Sequence, residues 1–129
     1  VTQLKGDFPK GINVSLYRKC GDNAIFVATY ERGAGITYSC GTAMTASATA
    51  AVLLGLVESG QRIEVFNRGG KVACTTRLEA DSITTRLEGN ATFEWWGEAE
   101  FNGERLSYSR TRETGEADAW QRFVESINH

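Results

Sequence analysis

One cysteine of this 129-residue chain lies where a thiol could react. Cys40 comes just before Gly41–Val57, a run of small and apolar residues without a single charge, which predicts a helix. The N–H groups and the positive partial charge at a helix N-terminus stabilise a thiolate and attract an anion. Arg32, a few residues upstream, could bind a carboxylate through its planar guanidinium. These residue types indicate chemistry on a small substrate that carries a carboxylate.

Each of these residues also has a purely structural interpretation. A free cysteine is most often a small buried hydrophobe, and an arginine is most often a solvated surface charge. Position favours a functional Cys40, because it lies between Ser39 and Gly41 and not within an apolar run. We expect a structural role for Cys20, in a predicted turn, and for Cys74, in a predicted strand.

The elements that must position Cys40 are mostly short β-strands separated by glycine-containing turns. The predicted strands are Ile12–Tyr17, Ala24–Tyr30, Ile63–Phe66, Lys71–Leu78, Ser82–Glu88, Ala91–Trp96 and Leu106–Arg110. Lys19–Asn23 is predicted as a hairpin turn, Gly33–Ser39 as a loop and Gly41–Val57 as a helix. Because this helix has no charged face, we expect it to be buried nearly all round. The predicted fold is α+β, with a strongly curved, mostly antiparallel sheet around a central buried helix.

A second, short helix is predicted in the tail Glu113–His129. Its apolar residues follow helical spacing, and they are Trp120, Phe123, Val124 and Ile127. Glu116 and Asp118 lie near its start, where negative charge is favourable. We interpret residues 1–112 as one domain and residues 113–129 as an amphipathic helical tail packed on it. The alternative is that this tail contacts another domain that is absent from this chain, or a second subunit.

The composition argues against several classes of protein. A net charge of −2 gives no indication of a nucleic acid or a membrane as partner. Three widely spaced cysteines and one histidine, His129, do not form a zinc-binding pattern, so we expect no metal. Free thiols are typical of a reducing cytoplasm. The chain begins at Val1, which we interpret as an excised domain or a processed fragment.

Two segments of the chain, Phe8–Val14 and Glu31–Thr42, resemble motifs of the diaminopimelate epimerases, cofactor-independent amino-acid epimerases of lysine synthesis. The residues that match a motif close to E-R-G-x-G-x-T-x-x-C-G-T-G are Glu31, Arg32, Gly33, Gly35, Thr37, Cys40, Gly41 and Thr42. Phe8–Val14, with the sequence F-P-K-G-I-N-V, is similar to the family's F-P-x-G-x-N-V segment. The resemblance runs from about Phe8 to Phe101 and covers only the C-terminal half of such an enzyme.

The resemblance implies both a fold and a mechanism. Each half of these enzymes is a β-barrel-like domain with an internal helix. Two cysteines, one per half, exchange protons with the α-carbon of L,L- or meso-diaminopimelate without pyridoxal phosphate. Cys40 would be one of this pair, and its partner would lie on an N-terminal half domain. We expect this half alone to be inactive, because Cys40 can serve only one face of the carbon; a homodimer stays open.

The resemblance also implies roles for five substrate-binding residues. Gly41 and Thr42 would donate backbone N–H groups to the α-carboxylate. Glu31 would contact the amino group near the reacting carbon. Arg32 would hold the distal carboxylate, and Asn13 would bind the same distal end.

Two residues depart from the family's C-G-T-G-A pattern. Ala43 replaces a glycine and is expected to add a side chain close to the substrate pocket, and Met44 is bulkier than the usual alanine. Two alternatives therefore stay open. One is an epimerase for a different amino acid, and the other is a non-catalytic binding half-module of the same fold.

Overall fold

A computed structural model describes residues 6–128, which divide into two compact units after Asn90. Residues 1–5 of the predicted first domain and His129 of the predicted tail lie outside the described residues. Most of the described elements are β-strands and two are α-helices, so the predicted α+β class is confirmed. The second unit contains a β-hairpin that ends at Glu113 together with the second helix, whereas the predicted tail begins at residue 113.

The first unit contains a six-stranded sheet. Its strands are β1 (Val14–Gly21), β2 (Ala24–Glu31), β3 (Gly35–Thr37), β4 (Arg62–Asn67), β5 (Gly70–Leu78) and β6 (Ile83–Glu88). The order is β1-β2-β4-β5-β6, and β3 pairs with the end of β2. All neighbours are antiparallel except β2 and β4, which are parallel. Within residues 6–128 this sheet does not close into a barrel.

Helix α1 (Gly41–Leu53) packs on one face of this sheet. Its buried residues repeat with helical spacing, and they are Ala43, Met44, Ser47, Ala48, Ala51 and Val52. They meet strand residues such as Ile25, Val27 and Val65, which are almost fully buried. Ala46 and Leu53 are exposed, so α1 is buried on one side and not nearly all round as predicted.

The end of α1 comes earlier than the predicted Val57. Gly55 has a φ of +69°, the left-handed conformation that glycine adopts without a Cβ clash. Its N–H donates to the carbonyl of Val52 at 3.0 Å, and the N–H of Leu56 donates to that of Ala51 at 2.9 Å. This pair of bonds is the Schellman motif, which satisfies the last carbonyls and stops the helix.

Two local predictions in this unit are wrong. The hairpin turn between β1 and β2 contains only Asp22 and Asn23, so Cys20 lies in β1, where the register shifts between Lys19 and Gly21. The predicted loop Gly33–Ser39 contains the short strand β3, because the turn that begins at Glu31 folds the chain back onto β2.

The second unit consists of a hairpin and a helix. Its elements are β7 (Trp95–Phe101), β8 (Leu106–Glu113) and α2 (Glu116–Ile127). The predicted strand Ala91–Trp96 is mostly wrong, since the paired segment begins at Trp95 and continues to Phe101. The predicted amphipathic helix is confirmed: its four apolar residues are half-buried, and Glu116 and Asp118 lie in its first turn. No helix among residues 6–128 is long and apolar enough to cross a bilayer.

Candidate active site

Cys40 is the N-cap residue of α1, as the sequence predicts. Its backbone is extended, with φ −144° and ψ 101°, and its carbonyl accepts the N–H of Met44 at 2.9 Å, which closes the first helical turn. The half-buried thiol lies 3.5 Å from the hydroxyl oxygen of Thr42. The sulfur therefore lies at the mouth of the helix with one polar neighbour from the same turn.

The N-terminus of α1 is open to an anion. No side chain among the described residues caps it, and its first turn contains no acidic residue. Gly41 and Thr42 are exposed. Unpaired N–H groups with a positive partial charge can bind a carboxylate, so this end of α1 can hold an anion beside the Cys40 thiol.

A second group forms where the two motif segments meet. The backbone N–H of Arg32 donates to Oδ1 of Asn13 at 2.8 Å, and Nη1 of Arg32 donates to the carbonyl of Lys10, also at 2.8 Å. The Arg32 side chain packs over Gly11, whose φ is +80° and where a Cβ would lie only 2.7 Å from Cδ of Arg32. Lys10–Asn13 thus orients Arg32. Within residues 6–128 the guanidinium has no carboxylate partner, so it keeps donors for a ligand.

Glu31 lies at the end of β2. Every second residue of a strand points to the same face of the sheet. Val27 and Thr29 are buried on the α1 face, so Glu31, the next residue in this alternation, points to that face as well. One carboxylate oxygen accepts a hydrogen bond from the hydroxyl of Thr37 on β3. Thr37 was not among the predicted site residues, although it belongs to the motif that contains Glu31 and Cys40. The half-buried carboxylate is a candidate acceptor for a ligand's ammonium group.

The structure thus brings four of the six predicted residues together in two pairs, and it joins a fifth, Glu31, to a residue that was not predicted. Asn13 is bonded to Arg32, and Cys40 lies beside Thr42, whereas Glu31 is held by Thr37. The loop before Cys40 is also bonded to the β4–β5 turn, because the N–H of Gly69 donates to the carbonyl of Tyr38 at 2.8 Å. Sequence reasoning missed that contact, and its only signal was the Gly-Gly turn pattern.

The two residues that depart from the family pattern lie on the core side of α1. Ala43 has an exposed fraction of 8%, and Met44 of 1%. The methyl group of Ala43 is thus buried within the first turn of α1, next to the exposed Gly41 and Thr42. Met44 packs in the hydrophobic core.

The other cysteines have different surroundings. Cys74 is buried on β5, and burial raises the pKa of its thiol, partly offset by a hydrogen bond with Thr45. Cys20 is exposed on β1. All three thiols are free, and no cluster of three His, Cys, Asp or Glu residues suited to a metal is found among the described residues. Among the three thiols, only that of Cys40 lies at a helix N-terminus.

Comparison with known proteins points to one family. A family model described as "Diaminopimelate epimerase" matches residues 2–94. The diaminopimelate epimerase of Listeria monocytogenes is 36% identical over 121 residues, which is 93% of this chain and 37% of that protein. That of Lactiplantibacillus plantarum is 41% identical over 127 residues, 93% of this chain and 38% of the relative. That of Clostridium acetobutylicum is 33% identical over 125 residues, 94% of this chain and 38% of the relative. The chain thus spans less than half the length of these relatives.

Proposed function

This chain belongs to the diaminopimelate epimerase family, and we propose that it supplies one half of the active site of an enzyme that interconverts L,L- and meso-diaminopimelate in lysine synthesis. The observation that supports this most directly is the position of Cys40. Its thiol lies at the open N-terminus of α1, where a carboxylate can bind beside it.

The proposed reaction is a proton exchange at the α-carbon. The Cys40 thiolate removes the α-hydrogen as a proton and becomes a thiol, while the electron pair of the C–H bond stays on the carbon and is delocalised into the α-carboxylate. A second thiol, on the opposite face, then gives its proton to the carbon and becomes a thiolate. The configuration is inverted, and one proton has moved from substrate to Cys40 and another from the second thiol to product. In the reverse direction the two thiols exchange roles.

The binding roles follow from the surroundings of each residue. The N–H groups of Gly41 and Thr42 would bind the α-carboxylate and stabilise the negative charge that develops next to it. The Glu31 carboxylate would accept the ammonium group. Arg32 would bind the distal carboxylate, and Asn13 would fix the Arg32 backbone and offer its amide to the same end.

We also propose three features of the complete protein. Its N-terminal half domain supplies the second cysteine, because Cys40 can reach only one face of the substrate. Its sheet curves around the side of α1 that is open here, as supported by the exposed apolar residues Leu53 and Leu54. Its location is the cytoplasm, since Cys20, Cys40 and Cys74 are all free.

The test uses the complete protein in deuterated water with L,L-diaminopimelate. We expect meso product with deuterium at the inverted carbon. Cys40→Ser should lower turnover by on the order of 10²–10⁴-fold, the usual contribution of a general acid–base group. Cys20→Ser is the matched control, since Cys20 is exposed on β1, and it should leave turnover unchanged.

Two results would contradict the proposal. One is full turnover by Cys40→Ser. The other is deuterium exchange with a different amino acid and none with diaminopimelate, which would replace the substrate. The isolated chain should show neither inversion nor rapid exchange, and sizing any active species would reveal a site built from two copies of Cys40.

A further inference from the structure

The residues before Cys40 are tied to a turn from another part of the sheet. Tyr38, Ser39 and Cys40 lie in neither a helix nor a strand, so their own backbone does not fix them. The N–H of Gly69, in the turn between β4 and β5, donates to the carbonyl of Tyr38 at 2.8 Å. This bond joins the turn to the segment that enters α1.

The close approach at this bond requires a glycine. A Cβ built on Gly69 would lie 2.9 Å from the carbonyl oxygen of Tyr38 and 3.1 Å from its carbon. The first distance is shorter than real Cβ contacts, and the obstacle is backbone, which cannot swing aside as a flexible side chain can. The φ of Gly69 is not in the left-handed region, so the requirement concerns space alone.

Asn67 connects the same turn to the first turn of α1. Its Oδ1 accepts the N–H of Gly69 at 3.0 Å, and its Nδ2 donates to the sulfur of Met44 at 3.0 Å. Asn67 is 5% exposed and Met44 is 1% exposed. Since the N–H of Met44 closes the first helical turn on the carbonyl of Cys40, one buried amide links the β4–β5 turn to both sides of the cysteine.

We propose that Asn67 and Gly69 are positioning residues, which hold the Cys40 thiol and the N–H groups of Gly41 and Thr42 in a fixed relation. That a substrate uses this fixed arrangement rests on the proposed function. The positions of the thiol and the N–H groups do not depend on it. The alternative is that the turn merely stabilises the sheet, in which case its loss would lower stability without altering Cys40.

The test compares Gly69→Ala with Gly89→Ala in this chain. Gly89 is exposed, has no positive φ, and has no atom within 4 Å of its Cβ position, so it receives the same methyl group in open space. The readout is the alkylation rate of Cys40 by limiting iodoacetamide, relative to exposed Cys20 in the same molecules, measured by mass spectrometry. Helix content and unfolding are followed in parallel.

We expect Gly69→Ala to lower the Cys40-to-Cys20 ratio about two- to fivefold, the range that corresponds to losing the usual effect of a helix N-terminus on a nearby charge. Gly89→Ala should leave the ratio unchanged. If Gly69→Ala does not fold, Asn67→Ala takes its place, because it removes both amide bonds without adding volume. An unchanged ratio in a folded variant overturns the proposal, including when the variant is less stable.

The complete protein provides the second readout. A displacement of about 1 Å can cost on the order of 10²-fold in rate, so kcat should fall steeply in Gly69→Ala. KM should change less than kcat, because Arg32, which would bind the distal end of the substrate, is oriented separately by Lys10–Asn13. A lowered ratio in a protein whose wild type does not epimerise would refute the proposed function and leave the positioning role intact. A rise in KM with unchanged kcat would overturn the positioning role.

Discussion

Gly11→Ala should disturb Arg32 by a mechanism that can be separated from simple backbone strain. Gly11 has a φ of +80°, and an alanine there pays about 1–2 kcal/mol for the left-handed conformation. Alanine also lowers the conformational entropy of the unfolded chain, which offsets about 0.4–1 kcal/mol of this cost. The new Cβ would also lie 2.7 Å from Cδ and 3.0 Å from Cγ of Arg32, so that side chain must move.

That movement adds a second cost. An arginine forced off its rotamer loses about 0.5–1.5 kcal/mol. The bond from its Nη1 to the carbonyl of Lys10 is exposed, so its loss adds an amount near the lower end of about 0.5–1.5 kcal/mol. We therefore expect Gly11→Ala to cost about 1–2 kcal/mol more than an alanine at an equally strained but open position. Gly60 is that position, since its φ is +82° and nothing lies within 4 Å of its Cβ site.

The assay is urea unfolding followed by circular dichroism. Tryptophan fluorescence would report the second unit, because Trp95, Trp96 and Trp120 all lie in residues 91–129. In an Arg32→Ala background the extra cost of Gly11→Ala over Gly60→Ala should disappear, since the obstructing atoms are gone. Equal costs for the two alanines in the wild-type background would refute the reasoning.

Three further outcomes are expected. Brief iodoacetamide treatment of the native chain should label Cys40 first, although Cys20 is more exposed, and buried Cys74 last. Preferential labelling of Cys20 would argue against a reactive Cys40. Burial raises the pKa of the Cys74 thiol above its ordinary value, so the unfolded state ionises at a lower pH than the folded state. The unfolding free energy of the first unit should therefore fall as the pH rises past the ordinary pKa of a thiol, and Cys74→Ser should flatten this slope. In the complete enzyme, Arg32→Lys should weaken substrate binding by about 1–3 kcal/mol, seen as a higher KM, because lysine lacks the planar fork; unchanged kinetics would remove Arg32 from the site.

The sequence predicted those features that depend on local pattern. The start of α1 was clear, because an uncharged run begins directly after Cys40. Its end is also encoded locally, by Gly55, but that glycine lies inside an apolar run, so the helix predicted from the pattern extends past it to Val57. Strand β7 was misplaced because Glu98–Phe101 has little β-propensity, and pairing with β8 decides its structure.

The site was predictable in its residues and not in its contacts. The motifs identified Asn13 and Arg32, but the hydrogen bond between them joins separate segments of the chain. Asn67 resembled an ordinary turn residue before Gly69 and Gly70. Its burial against Met44 depends on how α1 crosses the sheet, which no local pattern encodes.

The parallel pairing of β2 with β4 has a consequence for the order in which the protein assembles. Parallel neighbours need a crossover, and here β3 and α1 form it. The Arg32–Asn13 bond joins residues that come before the crossover in the chain, on either side of the β1–β2 hairpin, so it can form with that hairpin alone. The Gly69–Tyr38 bond can form only after the crossover has brought β4 beside β2. Ordering that longer segment costs more chain entropy than forming the hairpin. Pulsed hydrogen exchange during refolding should therefore protect the N–H of Arg32 before that of Gly69, so that the thiol is the last part of the site to be set in place; simultaneous protection would contradict this order.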